Sequence, residues 1–403
     1  MNYINESAKQ IPLYDTYDTI VVGGGVAGIA AALASARGGA KTLLVEREYS
    51  LGGLATLGLV TIYLPLCDGM GRQCSFGIVE ELLKLSIAHG AERLYPDAWL
   101  GENQDHEKRK TQRYEVQFNA NLFALLAEKA LLEAGVTIAY GTALATAKVE
   151  QRHITHLIFE AREGRFAHAC KVAIDCTGDS ILCREAGAPT AQYAYKNTIP
   201  AWYYYMKDGK NHLQMLGYAE DPNQQTTFDP SAPHVAGTDS REVSGMIQYA
   251  HQTLLAHFLA RGNLTDTYAL TAIGQIPQLR MTTRLQGAYT LDVAEDHKPQ
   301  ADSIGMISNW RKKGPIYEVP FGCLYTPDVV NLLVAGRNIS VTDEMWDIAR
   351  VIPPCAVTGE AAGTASTLFC DMTKADIPLL QATLSAHGVK LHKSELPPLP
   401  DHS

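Results

Sequence analysis

Three glycines near the start of the chain have the spacing of a phosphate-binding turn. Gly23, Gly25 and Gly28 occur in the stretch VVGGGVAGIAAALASAR. In such a fingerprint the first glycine permits a tight turn, the second lets the backbone approach a pyrophosphate, and the third lets helix and strand pack closely. Glu46 follows 18 residues after Gly28, where its carboxylate can accept hydrogen bonds from ribose hydroxyls. These residue types at this spacing predict a dinucleotide-binding site.

The elements that must position this fingerprint form a β-α-β unit. Residues 18–22 and 41–46 are short apolar runs that predict buried strands, and the Ala-rich residues 26–37 predict the helix between them. A membrane segment or signal sequence is the alternative for this apolar stretch. The four glycines within residues 19–36 make it poor helix material, and the helical part is too short to cross a bilayer. We therefore expect no membrane association.

The composition argues against several classes of function. With 34 Lys and Arg against 43 Asp and Glu, the formal net charge is −9, which disfavours broad binding to nucleic acid or anionic lipid. The eight cysteines form no CxxC or CxxxxC pair and stand beside no histidine cluster, so we expect no metal site. Scattered thiols and an N-terminus without the pattern of a signal peptide predict a cytoplasmic protein.

Beyond the first β-α-β unit the composition changes. Between about residues 190 and 325 aromatic and polar residues dominate, as in AWYYYM at 201–206, which indicates a second, substrate-facing domain. The patterns elsewhere predict helices at 78–89, 119–134 and 361–373, an antiparallel meander at 142–174, and buried strands at 171–175 and 331–336.

Several later motifs resemble those of flavoproteins. LGGLAT (51–56) follows Glu46, DCTGDS (175–180) ends a predicted strand, and LLVAGRNIS (332–340) and TGEAAGTAS (358–366) come late in the chain. Together they resemble the bacterial FAD-dependent oxidoreductase family of the glutathione-reductase-like superfamily. The resemblance implies an α/β fold, with a discontinuous FAD-binding Rossmann domain, a mixed α+β substrate domain and two terminal tails. The implied bounds are 17–190 with 326–390 for the FAD domain, 191–325 for the substrate domain, and 1–16 and 391–403 for the tails.

The same resemblance implies which residues contact FAD. The fingerprint would bind the pyrophosphate, Glu46 and Arg47 would meet the AMP ribose, and Ala143 the adenine. Residues 358–362 would start a helix that points at the flavin and stabilises negative charge there. The implied cofactor residues are Gly23, Gly25, Val26, Ala27, Gly28, Glu46, Arg47, Gly53, Ala55, Thr56, Ala143, Thr177, Gly178, Gly336, Arg337, Thr358, Gly359, Ala361 and Ala362.

Four further residues are candidates for chemistry on a substrate. Arg280 and Arg284 lie in LRMTTRLQGAYTL (279–291), which is similar to a basic segment of the family, and Arg350 also matches the family. A guanidinium can hold an anionic substrate by a bidentate contact, although an arginine of this kind can equally form a structural ion pair. Cys67, in a glycine-rich loop, can be a redox-active thiol, a flavin attachment point or a buried structural thiol.

The leading hypothesis from these motifs is hydride transfer between flavin N5 and a small, polar or anionic organic substrate. No second GxGxxG occurs, so the electrons would come from the substrate, a partner protein or transiently bound NAD(P)H. One alternative is an NAD-bound biosynthetic enzyme of the thiazole-synthase type. Another is a non-catalytic binding protein on the same fold.

Overall fold

The computed structural model of the protein describes residues 4, 7–102, 105, 107–198, 200–217 and 233–398. The tails predicted at 1–16 and 391–403 therefore lie partly outside the described residues. Where the structure describes them, both tails carry packed elements: a strand begins at Leu13, and Leu391 and Leu396 are buried.

The described residues form both strands and α-helices. The strands are β1 (Leu13–Val22), β2 (Thr42–Val45), β3 (Ile62–Tyr63), β4 (Val116–Gln117), β5 (Thr137–Ala139), β6 (Ala143–Glu150), β7 (His153–Ala161), β8 (Gly164–Asp175), β9 (Thr190–Gln192), β10 (Tyr203–Lys207), β11 (Lys210–Gln214), β12 (Tyr268–Ile273), β13 (Thr283–Leu285), β14 (Ser303–Ser308), β15 (Ile316–Pro320), β16 (Tyr325–Thr326) and β17 (Val329–Val334). The helices are α1 (Val26–Arg37), α2 (Ile78–Ser86), α3 (Asp97–Leu100), α4 (Ala120–Glu133), α5 (Ile181–Glu185), α6 (Ser240–Leu259), α7 (Asp343–Ala349), α8 (Ile352–Leu368) and α9 (Ile377–Ala386). Within these residues, no helix is both long and apolar enough to span a membrane.

The main sheet has the strand order β16-β17-β8-β1-β2-β5. Strand β1 is parallel to both β2 and β8, and β17 returns parallel to β8 on the other side. Strands β6, β7 and β8 form the predicted antiparallel meander. The central strands are fully buried because helices cover the sheet, which is why they are continuous apolar runs. This parallel-rich sheet confirms the predicted Rossmann-type α/β fold.

Helices α1 and α8 pack against each other behind the fingerprint through small residues. A side chain at Gly359 would overlap with the carbonyl oxygen of Ala27, and one at Gly363 would overlap with that of Ala31. The two helices can therefore approach only because these positions are glycine. Helix α8 begins at Ile352, so the prediction that a helix starts near residue 358 is wrong. Pro353 and Pro354 occupy its first turn, where a missing N–H is tolerated.

A second, smaller hydrophobic core lies beside the first. Antiparallel strands β11, β10 and β12 form a sheet, and helix α6 packs its apolar side on that sheet through Met246, Leu254 and Phe258. The buried residues of this core extend from Ala201 to Leu279. The predicted substrate domain was longer, from 191 to 325, but the buried residues of 281–325 belong mainly to the larger core.

Candidate functional site

A large cavity opens at the carboxyl ends of the parallel strands. Its volume is about 1220 Å³, and its lining includes the residues directly after β1, β2, β8 and β17, namely Gly23, Glu46, Cys176 and Ala335. In open α/β sheets this edge is where ligands bind. The cavity exceeds the roughly 300–1,000 Å³ of a site for one drug-sized molecule. It continues from the sheet edge to residues of the smaller core.

Glycines form the wall at one end of the cavity. Gly25 and Gly52 lie side by side as an isolated parallel bridge, and a side chain on Gly53 would come within 3.3 Å of the Gly25 Cα. A Cβ on Gly25, by contrast, would meet no protein atom within 4 Å. We call Gly23, Gly25, Gly52 and Gly53, together with the first turn of α1, the glycine end. Its surface is backbone, with open space next to Gly25.

The first turn of α1 suits a phosphate. The N-cap Gly25 offers no side-chain cap, and the first turn contains no acidic residue. Because the first N–H groups of a helix have no partners within it, they and the helix dipole favour an anion. Gly28 supports this turn from behind, since a side chain there would overlap with the Gly23 carbonyl oxygen. The residues therefore fit a pyrophosphate group.

Glu46 lies at the edge of the same cavity. One of its carboxylate oxygens accepts a hydrogen bond from the Gly24 N–H at 2.6 Å, and the other accepts from the Glu48 N–H at 2.9 Å. Burial raises the pKa of Glu46, although the two backbone N–H groups oppose that rise. Each carboxylate oxygen has further lone-pair sites, so Glu46 can still accept ribose hydroxyls. Arg47 and Ala143 line the cavity nearby.

The turn after β8 is held by one buried aspartate. Asp175 accepts hydrogen bonds from the Thr177 N–H at 2.9 Å, the Thr177 hydroxyl at 2.7 Å and the Cys183 N–H at 2.9 Å. This network presents Thr177, Gly178 and Asp179 to the cavity. Sequence reasoning identified the first two but missed Asp179, which forms an ion pair with Arg337 at 2.6 Å.

The structure brings most of the predicted cofactor residues to the cavity and leaves six outside its lining. Thr56 and Thr358 direct their hydroxyls at the backbone, to Leu51 O and to Pro354 O. Gly28 lies behind the phosphate turn, and Gly359, Ala361 and Ala362 are buried within α8. From that helix Ile352 and Cys355 line the cavity instead, and sequence reasoning missed both because it set the helix start too late. The predicted residues in the lining are Gly23, Gly25, Val26, Ala27, Glu46, Arg47, Gly53, Ala55, Ala143, Thr177, Gly178, Gly336 and Arg337.

Besides Arg47, four arginines line the cavity. We call Arg280, Arg311, Arg337 and Arg350 the arginine end. Arg311 and Arg350 share the buried carboxylate of Asp347, each at 2.5 Å. Burial alone would raise the pKa of Asp347, but the two guanidinium groups outweigh burial and lower it. Sequence reasoning missed Arg311 and Asp347 because nothing in their local sequence indicates that they meet.

Arg280 differs from the other three because it has no carboxylate partner. It is 5% exposed, donates to the Gln278 side chain at 3.0 Å, and lies 5.0 Å from the centre of the Trp202 ring. None of the described carboxylates lies within ion-pair distance of it. Burial, followed by the positive charges of Arg350 and Arg337, lowers the pKa of Arg280 to about 9. The guanidinium is thus still charged at neutral pH.

Two of the predicted candidates lie outside the cavity lining. Arg284 forms an ion pair with Asp343 at 3.5 Å and lies over the Trp346 ring. Cys67 is 2% exposed, its sulfur accepts a hydrogen bond from the Tyr114 N–H at 3.2 Å, and burial raises its thiol pKa. These contacts favour a structural role for both residues: an ion pair for Arg284 and a buried thiol for Cys67. Cys176 and Cys355 are the thiols that do line the cavity.

Fold and site together define an α/β protein with a large cavity at the carboxyl ends of its parallel strands, lined at the phosphate turn by residues that fit a dinucleotide. The sequence matches the family described as FAD dependent oxidoreductase over residues 18–199 and 191–384. The chain therefore belongs to this family, and its cofactor is FAD.

Individual known proteins are similar to parts or to the whole of the chain. Thioredoxin reductase of Ureaplasma parvum serovar 3 is 30% identical over 74 residues, which are 18% of this chain and 24% of that protein. The chain thus matches about a quarter of the length of this relative. A geranylgeranyl bacteriochlorophyll reductase-like protein from Thermoplasma acidophilum is similar in structure, at 15% identity and a TM-score of 0.45, over 93% of this chain and 83% of that chain. The p-nitrophenol 4-monooxygenase of Pseudomonas putida gives 11% identity and a TM-score of 0.47, over 94% and 90%.

Proposed function

We propose that the protein transfers a hydride between FAD and a small, polar or anionic organic substrate. The observation that carries this proposal is that residues of the glycine end and of the arginine end line one and the same cavity. Both ligands would then share that cavity. Such an arrangement lets the protein hold two reactants in fixed relative positions, which removes much of the entropic barrier to their reaction.

When bound, FAD supplies the hydride acceptor or donor at flavin N5. The glycine end would hold the pyrophosphate, and Glu46 would accept hydrogen bonds from the ribose. The first turn of α8 reaches the cavity through Ile352 and Cys355 and contains no acidic residue. The dipole of this helix would stabilise negative charge close to its first turn.

The substrate would lie at the arginine end. Arg280 brings a positive charge to the cavity wall, and the apolar residues Ile62, Leu64 and Leu279 line the cavity with it. Their apolar surface would keep water away from the reacting atoms, which strengthens each charged contact there. A nicotinamide or a partner protein would complete the second half-reaction.

The visible absorption spectrum of the purified protein tests the first part of the proposal. We expect flavin bands that pass into the supernatant after acid precipitation. Anaerobic additions of NADH, NADPH and a panel of small organic acids then test the second part, with bleaching of the flavin band as the sign of reduction. A protein that holds flavin but never exchanges electrons with any organic reductant or oxidant would refute hydride transfer.

A further inference from the structure

The arginine end carries more hydrogen-bond donors than the protein uses. A guanidinium has five N–H donors, and the Gln278 side chain accepts from one of those on Arg280. The Nε atom of Arg350 is buried and has no partner among the described residues, although the same side chain pairs with Asp347 through Nη2. Buried donors without acceptors are unfavourable. Two neighbouring guanidinium groups therefore offer donors that a ligand can satisfy.

The backbone around Arg280 is held in place from outside the cavity. The buried Asn197 side chain accepts from the Arg280 N–H at 2.9 Å and from the Met281 N–H at 3.1 Å, and it donates to the Met281 carbonyl. Gln278, which accepts from Arg280, itself donates to the carbonyl of Gly58. Arg280 is thus positioned before any ligand binds, and such preorganisation lowers the entropy lost on binding.

Part of the cavity wall near Arg280 is apolar. The Arg280 guanidinium lies over the Trp202 ring, 5.0 Å from its centre, and the neighbouring residues Ile276, Pro277 and Leu279 line the same cavity. A flat ligand group can therefore stack on the guanidinium or meet the ring edge-on. A polar, sugar-like ligand would make few favourable contacts with this apolar wall.

We infer that Arg280 and Arg350 bind a carboxylate attached to a planar, unsaturated or aromatic group, and that this group lies along the wall formed by Trp202 and residues 276–279. The inference rests on the proposed function, since it names the class of substrate. A carboxylate matches the fork of a guanidinium with two parallel hydrogen bonds. The ligand carboxylate would also add a single negative charge to the arginine end, where Asp347 already balances part of the positive charge.

Binding of simple probes to the holoenzyme tests the subsite without requiring turnover. Benzoate is planar and charged, cyclohexanecarboxylate is charged but not planar, benzamide is planar but neutral, and inorganic phosphate is a non-planar anion. Calorimetry and perturbation of the flavin spectrum measure each affinity. We expect benzoate to bind at least about tenfold more tightly than benzamide, since hydrogen bonds to charged groups are the stronger ones.

Two arginines of the same segment provide a matched pair of variants. Arg280→Gln should weaken benzoate binding by about tenfold or more, and Arg280→Lys by a smaller factor, because Lys keeps the charge but loses the fork. Arg284→Gln is the control: Arg284 also lies over a tryptophan ring but outside the cavity lining. Its affinity for benzoate should stay within about twofold of the wild-type value.

Every other outcome of these measurements decides for or against the subsite or the proposed function. Equal benzoate affinity in wild type and Arg280→Gln would overturn the subsite, as would tighter binding of phosphate or equal binding of cyclohexanecarboxylate. Loss of flavin from both Arg280 variants would assign Arg280 to the cofactor and overturn it as well. A colourless wild-type protein that still binds benzoate would refute the proposed function but support the subsite. A yellow protein that binds no benzoate would refute the subsite but support the proposed function.

Discussion

The glycine end and the arginine end bind charge by different means. At the glycine end the wall is main chain, and the open space beside Gly25 exists because no side chain occupies it. At the arginine end the wall is made of side chains, and three of the four guanidinium groups are paired with Asp179 or Asp347. Main-chain recognition depends on residues that are close in sequence. Side-chain recognition depends on partners from distant parts of the chain.

The comparison teaches which kind of substitution each end tolerates. At the glycine end, added side-chain atoms should disrupt ligand binding. Exchanging one small flanking residue for another should have little effect on it. A wall of paired charges is sensitive to the removal of one partner, since the other is then left buried and uncompensated. Four substitutions test this distinction, and they are ordered from the largest expected effect to the smallest.

Gly25→Asp should abolish flavin retention, with an affinity loss of about 3 kcal/mol or more. A Cβ at Gly25 would meet no protein atom within 4 Å, so the fold should survive. The carboxylate would stand against the pyrophosphate, and opposed like charges cost several kcal/mol. Flavin content by absorbance and the melting temperature measure the two effects. Gly25→Asn has the same bulk without the charge and should retain more flavin. Equal loss in both variants would attribute the effect to bulk.

Asp347→Asn should destabilise the protein by about 3 kcal/mol, because it removes the charge that Arg311 and Arg350 share inside the protein. Urea unfolding measures the change. Asp343→Asn is the matched control, since Asp343 pairs more loosely with Arg284 at 3.5 Å, and it should have the smaller effect. A larger loss in the control would contradict the view that the arginine end depends on Asp347.

Glu360 provides the opposite case, a carboxylate of α8 that is buried against the start of α2 with no described cation within ion-pair distance. It accepts from the Ile78 N–H at 2.7 Å, and burial raises its pKa from 4.5 to about 8 against that hydrogen bond. The folded state therefore favours the protonated form. Its contribution to stability is full below about pH 4.5 and is lost as the pH rises through 8.

Glu360→Gln should accordingly make the protein more stable than wild type at pH 8.5, by roughly a few kcal/mol, and flatten the fall in stability between pH 5 and 8. Unfolding free energies across this range measure the effect. Glu133→Gln, an exposed position on α4, should leave the slope unchanged. An unaltered slope in the Glu360 variant would show that another group titrates.

Gly359→Ala should lower the free energy of unfolding by about 1–2 kcal/mol, because the added methyl overlaps with the Ala27 carbonyl oxygen where α8 crosses α1. The flavin affinity should change less than the stability, since Gly359 lies outside the cavity lining. Gly245→Ala, whose new methyl meets no atom within 4 Å, serves as the control. A selective loss of flavin without loss of stability would return Gly359 to the cofactor site.

Much of the glycine end could be predicted from sequence. The spacing of Gly23, Gly25 and Gly28 sets a turn whose geometry is local, and helix α1 has the predicted bounds. The late helix was harder, because Pro353 and Pro354 interrupt the apolar pattern although they fit a first helical turn. The predicted start of this helix was therefore several residues too late, and residues that are buried in α8 were assigned to cofactor binding.

For the arginine end, the sequence left open which arginines contact a ligand and which form structural ion pairs. Arg280 and Arg284 are four residues apart, and no local pattern distinguishes them. Asp343, from a distant helix, pairs with Arg284, whereas Arg280 lies over the ring of Trp202. These partners are separated from the arginines by more than 50 residues, so only the fold decides which guanidinium reaches the cavity.

The return of β17 and α8 to the first β-α-β unit has a consequence for biosynthesis. Strand β8 pairs with both β1 and β17, and the cavity is lined by residues from Val22 through Cys355. Chains grow at roughly 5–20 residues per second, so more than about 15 seconds separate the appearance of the phosphate turn from that of the helix that backs it. During translation the nascent chain thus exposes an unfinished pocket, and loading of the cofactor belongs to the end of synthesis or after it.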